Sequence, residues 1–486
     1  MFIFDNEKIG QKLMKCKHLL FILLILPLIF SCTAFKPEIT RVDTVLDNTS
    51  GSISAGFIDN ETLWWNIFDS PEISKIMNKA FENNFNIKSA YYRIKQAQAS
   101  YRKSYSGYYP SADLSLERSY NKQKQKNLDA VTTEKWSLGL NVSYEADIWG
   151  KTSSKAESAA LQVDINRYNL KGSALILSTD IAKTWVDIIA NKIKLNTFRE
   201  QLNLNREIYS ILEERYYSSM ANLIDLYQQE SVIANIQTNI DDTISEIQQL
   251  KQSLNILTGT HPGAKVSVDT EKMPEIKPVP EGGLPASVLK NRPDLKASWL
   301  KVKSAAWDVS TAKAERLPSL RLTGSYNYSA EKLSDIFDNW ALNLAGSLIA
   351  PIIDGGSRKA EVERSKAALQ EAVMNYKQDA LNAVKEAEAA LLNERRYIKR
   401  IKNTEKRLSI AVKSLKEAER RYYSGISDYS TVLNQRLNII ELRSTLTDLK
   451  SARIKSRIDL YKAAGGRIPE LNEILKEVKN GRTAEK

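Results

Sequence analysis

The chain states most of its fold twice. Arg215-Tyr216-Tyr217-Ser218 recurs as Arg421-Tyr422-Tyr423-Ser424, a shift of 206 residues. Leu257-Thr258-Gly259 returns at the same shift as Ala463-Ala464-Gly465, and Tyr109-Pro110-Ser111 returns as Leu317-Pro318-Ser319 at a shift of 208. One small indel therefore separates two tandem copies of a single unit of roughly two hundred residues, a self-similarity that must be read before any local structure. We place the copies at 61–261 and 284–466, with a Pro- and Gly-rich joint at 262–283 between them. A linker, 32–60, precedes the first copy, and a tail, 467–486, follows the second.

Within each copy the hydrophobic period changes twice. Helices of moderate length are expected over 72–106 and 286–316, each ending before a proline. Two short alternating stretches separated by a polar loop come next, then a very long helix and a second one of about forty residues. No proline falls between Pro110 and Pro262 or between Pro351 and Pro469. An uninterrupted helix needs that absence, because an interior proline costs about 3 kcal/mol. The long helices are expected from about Lys155 to Tyr217 and from Ser357 to Tyr423. At 1.5 Å rise per residue each is roughly 95–100 Å long, so each needs neighbours along its whole length, as coiled coils do. Their apolar spacing predicts a narrow buried stripe through Ile181, Trp185, Ile188 and Ile189, and through Leu369, Val373, Tyr376 and Ala380. Charges such as Arg395, Arg396, Lys399 and Arg400 read as a solvated face. The fold class is mostly α, with four strands and six main helices per chain.

The strands are the informative part. From Trp136 every even position to Ile148 is apolar or aromatic, and every odd one from Ser137 to Asp147 is polar or glycine. In the second copy Trp340, Leu342, Leu344, Gly346, Leu348 and Ala350 share one face, with Ile349 spoiling the other. Ala112, Leu114, Leu116 and Tyr120 line one face of the preceding strand, as do Leu320, Leu322, Tyr326 and Tyr328 in copy two. Period two with one apolar face is a half-buried strand. Either that face packs on a soluble core, or it faces lipid while the polar face lines water. Strand length favours lipid, since a spanning strand needs about 9–11 residues. So does an aromatic girdle at one end of both hairpins, Tyr120 with Trp136 and Tyr328 with Trp340.

Four strands close no barrel, and an open sheet edge in lipid would leave its amides unpaired. About eight strands make the smallest useful barrel. A shared barrel, and hence an oligomer of identical chains, is the consequence.

The N-terminus fits that destination. Lys8, Lys12, Lys15 and Lys17 precede an apolar run from Leu19 to Phe30, which has the layout of a secretory signal and is too short to span a bilayer. Leu28-Ile29-Phe30-Ser31-Cys32 resembles a bacterial lipobox, making 1–31 a lipoprotein signal and Cys32 an acylated N-terminus. Counted from Met14 the signal has ordinary length; the plainer alternative is a signal peptide with an incidental cysteine. Cys16 and Cys32 are the only cysteines, so after processing no disulfide framework is possible, and several acyl chains on Cys32 would hold the chain at a membrane. That covalent lipid is the one attached group expected; no cofactor is. The net charge of +12 is spread among acidic residues and shows no nucleic-acid module. One mature histidine, His261, and no Cys/His cluster argue against a metal site. Glu386 and Glu388 do not share a helix face, and no phosphate loop or nucleophile elbow is present, so no catalytic residue is assigned.

Four strings, in order on the repeat, carry a family resemblance. They are Tyr144-Glu145-Ala146-Asp147-Ile148-Trp149-Gly150-Lys151, Asn291-Arg292-Pro293-Asp294-Leu295, Pro351-Ile352-Ile353-Asp354-Gly355-Gly356-Ser357-Arg358 and Arg421-Tyr422-Tyr423-Ser424-Gly425. From about Trp64 to Gly466 the chain resembles the TolC-like outer-membrane efflux proteins, especially their lipoprotein branch. The resemblance implies a homotrimer with a transmembrane β-barrel in the outer membrane and a long α-helical barrel across the periplasm. The joint at 262–283 and the chain ends would form an equatorial belt. It also implies a passive exit duct, with no enzymatic activity, fed by an inner-membrane pump through a periplasmic adaptor. Gly150, Gly355 and Gly356 would turn strand into helix. The gate would lie at the helix-helix turns 218–225 and 424–431. There the family's two aspartate positions fall on Thr431 and Asn434, its arginine on Ser427, and its aspartate–tyrosine link on Asp225 and Tyr422. A helix-dipole role for Asp225 and ordinary packing for Tyr422 are the simpler alternatives. The rival reading of the whole chain is a soluble periplasmic coiled-coil adaptor or scaffold, which explains the helices and the signal but not the two alternating hairpins.

Overall fold

The computed structural model describes residues 35–37, 62–126, 129–277, 289, 291–470 and 473–474. Two compact units emerge, one within Ile94–Ile165 and Ser298–Tyr376, the other within the described parts of Asp43–Arg93, Asn166–Ala297 and Lys377–Lys486. Each unit draws on both sequence copies, so the copies are interleaved in space.

Among the described residues there are seven helices and four strands: α1 (Pro71–Asn83), α2 (Phe85–Tyr105), β1 (Ser111–Gln123), β2 (Val131–Ala146), α3 (Lys151–Tyr217), α4 (Leu223–Leu257), α5 (Pro293–Ala314), β3 (Ser319–Ala330), β4 (Trp340–Ile349), α6 (Ser357–Tyr423) and α7 (Tyr429–Ala463). Six main helices become seven because the expected 72–106 helix breaks at Asn84. That residue is extended, at φ −61° and ψ 127°. Its side-chain oxygen accepts from the amides of Asn86 (2.8 Å) and Ile87 (3.2 Å) and caps α2. In copy two Pro293 opens α5 instead, as its fixed φ and missing N–H suit a first turn. The two long helices have 67 residues each, α6 with the expected ends and α3 starting four residues early. No described helix is long and apolar enough to cross a membrane.

In the first unit the strands form one antiparallel sheet in the order β1-β2-β3-β4. Its register aligns the apolar positions into rows: Leu114, Leu140, Tyr326 and Leu342 in one, Leu116, Leu138, Tyr328 and Trp340 in the next. The opposite face carries Asp113, Asn141, Ser325 and Asn343 in one row. A slip of one residue would interleave the two sets, so the alternation itself specifies the register. Leu344 is 78% exposed and Leu348 68%, so the apolar face finds no cover among the described residues.

The second unit holds the helical core. On α4 the buried positions Leu226, Gln229, Val232, Ile236, Ile240, Thr243 and Ile247 follow the three-four spacing of a coiled-coil seam. They pack with Leu195, Phe198, Leu202 and Leu212 of α3 and with Tyr429, Val432, Leu433 and Ile440 of α7. The α3 stripe at Ile181, Trp185, Ile188 and Ile189 is fully buried, each side chain contributing about 1.5–3 kcal/mol of transfer energy. On α6 the seam is built of alanines, Ala380, Ala383 and Ala387, which admit close approach of a neighbour. Inside this core Arg457 grips Glu394 through two bonds of 2.8 and 2.5 Å, Arg453 adds a longer contact at 3.8 Å, and Glu394 has no solvent exposure.

Candidate functional site

Three regions hold the residues the sequence singles out. On the sheet, the side chains expected to form a girdle lie toward the hairpin ends. Trp340 stands opposite Tyr328 in register and stacks on Tyr326 at 5.7 Å, and Tyr328 meets Phe337 at 5.1 Å. In copy one the Arg118 guanidinium lies 5.5 Å from the Trp136 ring and bonds Glu134 at 3.1 Å. Tyr120, opposite Glu134 in register, is exposed. Rings and snorkelling cations of this kind suit an interface where one end is apolar and the other wet.

At the two strand-to-helix passages an aspartate caps the following helix, through amides at different offsets in the two copies. The Asp147 carboxylate accepts from the Thr152 and Ser153 amides at 2.9 and 2.8 Å, capping α3. Asp354 accepts from Gly356 and Arg358 at 3.0 and 3.2 Å, capping α6. Chiefly through those amide bonds, the Asp354 carboxyl is held below the ordinary range. Gly150 (φ 76°), Gly355 (63°) and Gly356 (84°) occupy left-handed backbone that a side chain would strain, which is why glycine stands there. Trp149 donates from its indole to the Pro318 carbonyl at 2.6 Å, tying the β2–α3 passage to the turn between α5 and β3.

The tip of the second unit is formed by the α3–α4 and α6–α7 turns. Their backbones match: Met220 N donates to Arg215 O and Ile426 N to Arg421 O, at 2.7 and 2.9 Å. Gly425 takes φ 68° in one turn and Ser219 takes φ 60° in the other. Asp225 closes a capping box with Asn222, accepting its amide at 3.2 Å. Tyr422 sits beside it with its hydroxyl buried and hydrogen-bonded to no described residue. In the single chain, then, Asp225 and Tyr422 are neighbours without a mutual hydrogen bond. Burial raises the Tyr422 hydroxyl above its usual range, Arg215 opposes that and Asp225 adds to it. Ser427 also buries its hydroxyl without a partner among the described residues, whereas Thr431 and Asn434 are exposed.

Two features of the tip went unassigned in the sequence. Arg215 lies 4.8 Å over the Tyr422 ring and 5.7 Å over Tyr423, a cation–π contact joining the copies. Tyr429 donates to Gln229 Oε1 at 2.8 Å, and Gln229 in turn donates to the carbonyl and side-chain oxygens of Asn205. Burial drives the Tyr429 hydroxyl far above its ordinary value, so it is a permanent donor. The signal for Arg215 was present, since it opens the repeated Arg-Tyr-Tyr-Ser string.

The joint is anchored in the same unit. Glu72 accepts from the Trp185 indole at 2.8 Å and the Thr270 hydroxyl at 2.7 Å, and it also takes the Asp269 amide. Cys32 and the 278–283 end of the joint lie outside the described residues. No group of three or more His, Cys, Asp or Glu among the described residues is placed to hold a metal.

The family model for outer membrane efflux proteins matches this chain twice, over 76–260 and 284–466, one match per copy. The chain belongs to the outer membrane efflux protein family. Its relatives include the pyoverdine export outer membrane protein OpmQ of Pseudomonas aeruginosa, 26% identical over 83% of this chain and 87% of OpmQ. Another is the Probable outer membrane lipoprotein SilC of Salmonella typhimurium, 25% identical over 84% of this chain and 88% of SilC. A crystal structure of CusC shares the fold, with a TM-score of 0.80 at 23% identity, covering 89% of this chain and 99% of that one.

Proposed function

We propose that this chain is the outer-membrane component of a tripartite efflux system. In this reading it is a lipid-anchored, homotrimeric, passive duct fed by an inner-membrane pump through a periplasmic adaptor. The sheet carries the reading. It has one apolar face, one polar face, and two edges, on β1 and β4, with no partner strand among the described residues. Pooling such sheets from several copies satisfies every edge, turns the apolar rows to lipid and lines a water-filled lumen with the Asp113 row. Three copies would supply twelve strands. Acylation at Cys32 is in keeping with the lipoprotein name of SilC. Met220, Ile224 and Ile426, exposed at the tip, offer apolar contacts to a docking adaptor. The duct itself performs no covalent chemistry and moves small molecules chosen by the pump.

The test is electrical. Detergent-purified protein added to planar bilayers is expected to insert as discrete conductance steps from an oligomer. A monomer soluble in plain buffer that leaves the bilayer silent overturns the proposal.

A further inference from the structure

The internal repeat acts on contacts as well as on sequence. Within the first unit, β2 of copy one pairs with β3 of copy two, while the counterpart of that seam, β4 with β1, is not made among the described residues. The second unit contains a helical seam of the same kind. Along it α3 of copy one meets α7 of copy two through Lys194–Asp448 at 2.5 Å and Lys455–Asp187 at 2.7 Å. Shifting the α3 residues forward by 206 lands on α6, and shifting the α7 residues back by 206 lands on α4. Lys194 and Asp448 then become Arg400 and Asp242, again a cation facing a carboxylate. Asp187 and Lys455 become Asn393 and Gln249, a neutral pair able to hydrogen-bond. Nowhere along these rungs do like charges meet.

Arg400 and Asp242 are both exposed, and neither has an ion-pair partner among the described residues. An apolar residue between the rungs agrees. Leu392 of α6 is 65% exposed, whereas Val186, which fills the same place on α3, is fully buried. A leucine left in water at a position buried in the other copy is a position awaiting its cover.

We propose that this second seam is made between subunits: α6 of one copy lies along α4 of the next, with Arg400 against Asp242 of the partner subunit and Leu392 covered. The partner is therefore a second copy of this chain, read in the register of the contact each chain already makes within itself. The proposal rests on the channel reading above and adds to it a specific interface.

Cysteine cross-linking tests it in the full-length protein. The double variant R400C/D242C, oxidised in isolated membranes, is expected to run as a ladder of covalent oligomers on a denaturing gel. Each single variant, the unsubstituted chain and K413C/D242C should stay at background, since Lys413 lies about 20 Å further along the helix. R400D should lower the temperature at which the oligomer dissociates, and R400D/D242R should restore it. Absence of the ladder from an oligomer that still conducts in planar bilayers overturns the seam and leaves the channel standing. A protein that neither assembles nor conducts overturns both.

Discussion

Asn84 and Arg292 hold the same post in the two copies. Asn84 donates to the carbonyl of Leu257, the last residue of α4, at 2.9 Å, and Arg292 donates to the carbonyl of Ala463, the last residue of α7, at 3.4 Å. Beside each donor a left-handed glycine presses in. A Cβ on Gly259 would lie 2.3 Å from Asn83 O, and one on Gly465 would lie 3.1 Å from Arg292 Cα. A helix end and the start of another helix are locked together twice, by one device in two chemical versions.

The first version predicts a cost. Asn84→Ala removes the α2 cap and the tie to Leu257 together, and should destabilise the protein by about 1–2 kcal/mol. Thermal unfolding in detergent checks this, and an unchanged midpoint would show that the break is held by packing alone.

The second version carries a pH signature. Burial alone would raise the Asp294 carboxyl, but the hydrogen bond and charge of Arg292 outweigh it and hold it below its ordinary value. A depressed carboxyl contributes stability that is present above its unfolded pKa, near 3.9, and is lost as pH falls through the folded value. Arg292→Ala should therefore weaken the protein at neutral pH and flatten its acid limb below about pH 4. Melting curves from pH 3 to 7 read both effects, and parallel curves for the two proteins would refute the linkage.

Much of this was legible in the chain and some was not. The strand faces and the ends of α6 follow from period two, period 3.6 and missing prolines, all local signals. The break at Asn84 escaped because an asparagine inside an amphipathic run carries no signal as strong as proline, and its tie to the Leu257 carbonyl is a contact 173 residues away in the chain. The order β1-β2-β3-β4, the Arg215 contact with Tyr422 and the Arg457–Glu394 pair join residues of different helices or copies, and spacing within one element is silent about those. The expected gate positions came from family resemblance, and the geometry sets Arg215 and Tyr429 against the Tyr422 ring, at 4.8 and 5.5 Å.

The Arg457–Glu394 pair predicts an asymmetry between single and double substitution. Arg457→Met leaves the buried Glu394 carboxylate only its longer contact with Arg453, at 3.8 Å, and should cost about 3–5 kcal/mol, while R457M/E394M should recover most of the loss. Equal destabilisation by the single and double variants, read by thermal melting, would contradict the account.

At the tip two substitutions separate two roles. Asp225→Ala loses a cap worth about 1 kcal/mol and the carboxylate beside Tyr422, while Arg215→Gln removes the cation over the tyrosine ring together with a long 3.5 Å bond to the Met220 carbonyl. If these contacts hold the tip shut, both should raise single-channel conductance in planar bilayers. Unchanged conductance in both would reduce Asp225 to a helix cap and Arg215 to packing.

The central claim is that one face of the sheet meets lipid and the other meets water, and neighbouring residues of β4 test it most directly. Single cysteines at Leu342, Asn343 and Leu344 can be probed in membranes with a water-soluble, membrane-impermeant thiol reagent. The account predicts alternation: Asn343→Cys labels readily from the lumen, while Leu342→Cys and Leu344→Cys react only with a lipid-phase reagent. Equal aqueous labelling of all three would contradict it, because a strand with water on both faces lines no barrel.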